Sequence, residues 1–380
     1  MVLARGPPRR RVPCGFCSRR VARPDRRERA GSGVMGSPRW DEPMNNDRAC
    51  DVRDVGEAGV IARALRRAGS SRMVLAGIGD DAAVLHVPRG AALLASCDML
   101  VEGVHFRRDW SSPEQVGAKA AAVNLSDIAA MGGRPSALLT SLALPPALPV
   151  AWVEAFYAGF GKVAAQWQAP LAGGDTVGSP GPVVVDVTVL GYARRPVKRF
   201  GAQPGDNLVL TGPVGGAAAG LALLASGCRW PGGSEWERRL LAAQLTPSAR
   251  VREGRWLAGG ARAMTDLSDG LGVGLLGILG DRVGASIEGS AVPRSAGLEE
   301  AARRLGVPIR SWLVDGGEDY ELLAAVPAER LPRVQATFAR HGRDLFVIGA
   351  VEAEPGIRWR EDGREVSVTV RSFEHFHLDS

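Results

Sequence analysis

The sequence predicts an α/β (α+β) protein of two domains built on mixed sheets flanked by helices, and three observations carry that expectation. The chain has 380 residues, room for about two domains of ordinary size. Strand-like and helix-like patterns alternate along it, and the stretch "RRPVKRFGAQPGD" at 194–206 breaks the rhythm once with charge, Pro and Gly. No repeat with a period of about 20–50 residues is visible, so the pattern does not describe a solenoid. The expected division is residues 1–50 as a tail, 51–195 as the first domain and 196–380 as the second.

The elements follow in order. "VGEAGVIARALRRAG" (55–69) reads as a short helix stopped by Gly69. "AAVLHV" and "AALLASCD" read as strands around the turn Pro88-Arg89-Gly90. A helix is expected over 112–131, with Ser111 and Glu114 as its capping box and Gly132 as its stop. "PSALLTSLAL" is a strand, "PVAWVEAFYAGFGKVAAQW" an amphipathic helix and "GPVVVDVTVLGYA" another strand. After the break come strand "NLVLTG", helices at 215–226 and 248–258, strand "ARAMTD" and a helix at 270–282. Further helices and strands run on to "FVIGAVEA".

Composition excludes several classes. The net charge of +6 suggests nucleic acid until it is located. Residues 1–34 hold ten Arg against Asp25 and Glu28, a contribution of +8, so the rest of the chain carries −2. A basic face for nucleic acid has no support. The Arg- and Pro-rich tail lacks apolar periodicity and the continuous apolar run of a signal peptide, and it reads as disordered, with Met35 or Met44 as the expected true start. The five cysteines are too few and scattered for a disulfide framework, and Cys14-x-x-Cys17 has no second pair for zinc. The most membrane-like stretch, 136–160, is interrupted by Pro145, Pro146, Pro149 and Glu154, so no span is expected and the cytoplasm is the expected compartment.

The chemistry concentrates in acids flanked by small residues. Asp80 and Asp81 adjoin in "GIGDDAAVL"; Asp98, Asp127, Asp175, Asp266 and Asp269 follow, and "DGGEDYEL" adds Glu318. Any one of these could be an ordinary turn residue. Together they lie at expected strand ends and helix starts, where α/β folds collect ligands. Asn124 and Asp127 share one face of an otherwise apolar helix. A buried, unpaired carboxylate is costly, so Asp127 meets either an arginine such as Arg134 or a bound cation. Oxygen-only ligands suit magnesium, which commonly keeps phosphate oxygens among its ligands. The glycine turn and helix start in "TGPVGGAAAGLALL" (211–224) fit phosphate as well, although neither G-x-G-x-x-G nor a Walker A pattern is present.

The ordered set "GIGDDAAVL", "SCDMLVEGVHF", "KAAAVNLSDIAAMG", "AGGDT", "GAQPGDNLVLTG", "LTPSARV", "TDLSDGL" and "GGEDYELL" closely resembles the thiamine-monophosphate kinase family, within the aminoimidazole-ribonucleotide-synthetase-like ATP-binding superfamily. The resemblance covers roughly residues 54–376. It implies a two-domain, dimeric enzyme that uses ATP as co-substrate and several Mg²⁺ ions to phosphorylate thiamine monophosphate. The rival is a relative in the same superfamily acting on a different acceptor. By matching positions, the resemblance implies magnesium ligands at Asp80, Asp81, Ser96, Cys97, Asp98, Asp127, Asp175, Asp266 and Asp269. It implies ATP contacts at Tyr157, Gly174, Asp175, Arg199 and Ser268, and substrate contacts at His105, Glu318 and Phe373. Where the family usually has Thr, this chain has Cys97; a side-chain ligand there would bind magnesium more weakly, whereas a backbone carbonyl would be unaffected.

Overall fold

The computed structural model describes residues 50–78, 81–361 and 363–371. The expectations for the tail, for Asp80 and for Phe373 therefore lie outside the described residues. Helix α1 (Val52–Leu65), strands β1 (Val74–Ala76) and β2 (Val84–Leu85), and the ten-residue strand β3 (Ala92–Val101) open the fold. Helix α2 (Pro113–Ala130), strand β4 (Arg134–Leu144), helix α3 (Val150–Gln166) and strands β5 (Leu171–Gly178) and β6 (Val184–Ala193) complete the first half. Strands β3, β6, β4 and β5 make a four-stranded sheet in that order, antiparallel except for the parallel pair β4–β5.

Two local expectations shift. The cap of α2 is Ser112, one residue later than expected, with Gln115 reaching back to the Ser112 N–H. Pro113 explains the shift: lacking an N–H, it fits the first helical position, so the residue before it becomes the cap. Secondly, "LAGGDTVG" is strand β5 rather than a turn. Gly174 makes this possible, because its φ is +153° and a Cβ there would lie 1.9 Å from the Thr140 carbonyl oxygen. We therefore expect Gly174→Ala to unzip β5 from β4, read as lost protection of β5 amides in hydrogen exchange; unchanged protection would contradict this packing.

The second half contributes β7 (Asn207–Leu210), α4 (Gly216–Ala225), α5 (Glu235–Leu245), α6 (Val251–Leu257), β8 (Ala263–Asp266) and α7 (Leu271–Leu279). It continues with β9 (Gly284–Glu288), α8 (Leu298–Leu305), α9 (Ile309–Val314), β10 (Leu322–Val326) and α10 (Leu331–Arg340). Strands β11 (Phe346–Glu352), β12 (Gly356–Glu361) and β13 (Arg364–Val366) end it. The seven-stranded sheet runs β13-β12-β9-β11-β7-β10-β8, mixed because β12 and β9 are parallel.

Strand alternation splits this larger sheet between two cores. Leu208, Leu210, Ala263, Leu323 and Ala325 face α4, α5 and α7 in one core. Val209, Met264, Leu322 and Ala324 face the other way, in a core shared with α2, α3 and the smaller sheet. Helix α2 is thus enclosed by both halves, which is why its apolar residues wrap around it instead of forming one stripe. Where α2 crosses α3, a Cβ at Gly117 would lie 1.9 Å from the Phe156 carbonyl oxygen, and one at Gly159 1.9 Å from that of Glu114. These reciprocal glycines let the two helix backbones touch, and so fix the depth at which α2 lies.

Candidate active site

The polar residues of α2 pin it to β3 on one side and to β8 of the second half on another. Asn124 accepts a hydrogen bond from the Asp98 N–H on β3 at 3.0 Å, and its amide donates to the Ala120 carbonyl. Asp127 accepts from the Ser96 hydroxyl on β3 at 2.5 Å. From another side of the helix, the Ser126 hydroxyl donates to Asp266 Oδ2 at the end of β8, at 2.6 Å. One buried helix therefore assembles Asp98, Asp127 and Asp266, acids from strands and helix that are up to 168 residues apart in the chain. Ser126 was not singled out from the sequence; only its place beside the Asn124–Asp127 face hinted at it.

The three acids lie along a cleft of about 700 Å³ between the halves, which Asp269, Ser268, His105, Glu318, Lys119 and Gln244 also line. A smaller cavity of about 230 Å³ shares Asp127 and Asp266 and adds Ser96 and Arg199. The acids repel one another. Burial, then the charges of Asp127, Asp186 and Asp269, push the Asp98 carboxyl up to about 6. Burial and Asp127 push Asp266 up to about 7, against the opposing hydrogen bond from Ser126 and the charge of Arg199. Asp127 is also raised by burial, with the Ser96 hydroxyl and Arg199 pulling the other way. Arg134, the neutraliser considered from the sequence, stands exposed at the start of β4, where its charge acts on Arg255. The cation that acts on Asp127 is Arg199.

These shifts set a pH dependence of stability. Each acid titrates higher in the folded state than its ordinary 3.8. Between about pH 4 and 7 the unfolded chain therefore sheds protons that the folded chain keeps, and stability falls as pH rises through that window. Asp266→Asn removes one such group. Without nucleotide, its melting temperature is expected to match the unaltered protein below about pH 4, to exceed it progressively between about pH 4 and 7, and to keep a constant lead above that. A difference independent of pH would contradict the assignment.

Other expected site residues divide by the face of β3 they occupy. Cys97 alternates away from Ser96 and Asp98, and its thiol donates to Asp186 on β6 at 3.3 Å. Asp175 lies in the cross-strand row of Ser141 and Asp186, on that same face. The structure therefore groups Cys97 and Asp175 apart from Asp98, Asp127 and Asp266. Asp81 is exposed in the bend after β1 and does not line the cleft. Tyr157 is 3 % exposed, packs edge-on against Phe156, and has its hydroxyl pushed well up by burial. It lines neither the cleft nor the two cavities beside it, and its position is that of a core residue. Phe373 lies outside the described residues; Arg371, the last residue described, donates its N–H to Asp315, a cleft residue, at 2.9 Å.

The turn before β10 builds the opposite wall. Glu318 and Tyr320 adopt φ of +67° and +51°, a left-handed backbone that costs a non-glycine residue about 1–3 kcal/mol. The Glu318 N–H is held by the Ser268 carbonyl at 2.7 Å. Asp319 turns the other way and accepts from the N–H groups of Gly215 and Ala217 at 2.6 and 3.0 Å. The start of α4, read from the sequence as a phosphate cradle, thus spends these donors on a protein carboxylate.

Among the described residues, no three His, Cys, Asp or Glu side chains form a ready-made metal centre. The donor set nonetheless fits magnesium. Asp98, Asp127, Asp266, Asp269 and Ser96 offer only oxygens, and the buried carboxylates lack sufficient counter-charge. Magnesium takes few protein ligands and completes its shell with water and phosphate.

Comparison with known proteins agrees with this arrangement. Residues 79–193 match the family model "AIR synthase related protein, N-terminal domain", and residues 203–360 match its C-terminal counterpart. The chain is 37% identical over 328 residues to the thiamine-monophosphate kinase of Salmonella typhimurium, covering 84% of this chain and 98% of that protein. A crystal structure of thiamine-monophosphate kinase from Stenotrophomonas maltophilia superposes with a TM-score of 0.70 at 33% identity, over 81% of this chain and 95% of that one. AaThiL complexed with AMPPCP and TMP gives a TM-score of 0.67 at 32% identity, over 85% of this chain and 98% of that one.

Proposed function

The chain belongs to the thiamine-monophosphate kinase family, and from that premise we propose that it transfers the γ-phosphoryl group of ATP to thiamine monophosphate, giving thiamine diphosphate and ADP. The observation that carries the reading is the joining of Asp98, Asp127 and Asp266 by one buried helix at a cleft of about 700 Å³. That volume falls in the range of small-molecule sites, about 300–1,000 Å³.

The acceptor needs no general base. A phosphate monoester has a second pKa of about 6, so its attacking oxygen already carries charge at neutral pH. The barrier is repulsion between that oxygen and the polyphosphate, together with in-line placement. Asp98, Asp127 and Asp266, with Asp269 and Ser96, would hold magnesium; Asp80, Asp81, Asp175 and Cys97 are proposed as magnesium ligands on the resemblance alone, since Cys97 and Asp175 share the other face of the sheet and Asp81 does not line the cleft. When bound, magnesium neutralises phosphoryl oxygens and draws the two anions together. Arg199, beside Asp127 and Asp266, suits a phosphate contact, and Gly174 and Ser268 are proposed to face ATP. His105 and Glu318 also line the cleft and suit the acceptor.

Two further readings have support. Leu93, Met99 and Val177 leave large apolar side chains exposed on the four-stranded sheet, on the face away from α2, which favours a homodimer covering that face. Among the described residues no helix is long and apolar enough to cross a membrane, and ATP as co-substrate suits a cytoplasmic enzyme. The deciding assay incubates the full chain with Mg-ATP and thiamine monophosphate and separates the thiamine phosphates. Stoichiometric thiamine diphosphate and ADP is the expected outcome. Tight ATP binding without thiamine diphosphate would overturn the reading in favour of another acceptor.

A further inference from the structure

Beside the cleft is a buried acceptor that no group among the described residues uses. Gln244, on α5, is 5 % exposed and lines both the cleft and a side chamber of about 240 Å³. Its Nε2 donates to Glu318 Oε2, and the other Glu318 oxygen takes the Lys119 ammonium at 2.6 Å. A carboxylate in an ion pair can only accept, so the amide must turn its NH₂ towards Glu318. That leaves Gln244 Oε1 facing elsewhere, and it finds no donor among the described residues.

A buried oxygen without a donor costs about 1–3 kcal/mol. Packing gives no reason to bear this cost. Lys119, itself 4 % exposed, already supplies the counter-charge for Glu318, and an apolar side chain of similar length would fill the site without an orphaned acceptor. The chamber suits a flat, partly polar ring: Leu221, Leu224 and Leu245 line it together with Gln244 and Glu318. Glu318 is clamped by two partners on a left-handed backbone, so the polar edge of the chamber is already in place before ligand arrives.

We propose that Gln244 is a specificity-determining residue: its Oε1 accepts an N–H from the exocyclic amine on the aminopyrimidine ring of the acceptor. The inference rests on the reading of thiamine monophosphate as the substrate. An analogue with a keto oxygen in place of that amine sets acceptor against acceptor and is rejected, because a site built to bond an N–H loses its partner.

The test compares kcat/KM for thiamine monophosphate and for its keto analogue, using the full chain with Mg-ATP. The unaltered chain is expected to prefer the amine by about 100-fold or more. In Gln244→Met the preference collapses to about threefold or less. It does so through a KM for thiamine monophosphate raised about 10- to 100-fold, while the KM for ATP stays within about threefold. Phosphorylation of both compounds at similar efficiency by the unaltered chain overturns the inference and leaves the proposed function standing. An undiminished preference in active Gln244→Met does the same. No phosphorylation of thiamine monophosphate by the unaltered chain overturns both.

Discussion

Asp127→Asn is expected to lower turnover by on the order of 10³-fold while the protein stays folded and, without nucleotide, melts at a higher temperature than the unaltered chain. The substitution keeps shape and leaves an oxygen to accept from the Ser96 hydroxyl. It removes the charge that contributes to raising both Asp98 and Asp266. The same repulsion that weakens the empty fold is what draws in divalent cations, so loss of function and gain of stability should appear together. Steady-state kinetics with Mg-ATP and thiamine monophosphate, paired with thermal melting, checks both halves. Full turnover in Asp127→Asn would falsify the metal role of the acidic cluster.

Arg250→Ala should produce the largest loss of stability, about 3–5 kcal/mol, because it leaves a buried charge without its partner. Glu321 is 2 % exposed and receives both guanidinium contacts of Arg250, one of them at 2.8 Å. Its remaining hydrogen-bond support among the described residues is the Thr211 hydroxyl at 2.7 Å, which in turn accepts from the Leu322 N–H. Arg250 immediately precedes α6, Thr211 follows β7 and Glu321 precedes β10, so this one carboxylate ties together three segments of the second half. The Glu318–Tyr320 turn is anchored at the same place, so the KM for thiamine monophosphate should rise as well. Urea unfolding of Arg250→Ala, and of Arg250→Ala combined with Glu321→Gln, tests the cause: the second change should recover much of the loss by removing the stranded charge. A loss below about 1 kcal/mol in the single variant would mean that water reaches Glu321 and the pair is not structural.

Much of the scaffold was legible because its signals are local. Strands β3, β4 and β6 and helices α2 and α3 follow directly from alternation, helical periodicity and stop residues. Helix α5 carries a capping box at Ser234 and Glu237 and could have been found by it. Strand β5 could not be read this way. Its glycines and Asp175 look like a turn, and its buried positions do not alternate, because it lies at the parallel edge of the sheet. The start of α4 resembled a phosphate site until the fold brought Asp319 onto its N–H groups from over a hundred residues away.

The sequence by itself determined the donor chemistry: carboxylates and hydroxyls in glycine-rich surroundings, arranged in an order that marks a family. It also determined that Asn124 and Asp127 share a helix face, since helical geometry relates neighbours three apart. Only the tertiary structure decided which acids share one water-poor space, that Arg199 rather than Arg134 acts on them, and that Gln244 holds an unused oxygen next to Glu318. The physical reason is range. Local pattern fixes positions within a turn or a strand pair, whereas repulsion and desolvation depend on distances set by how deeply α2 is packed between the two sheets.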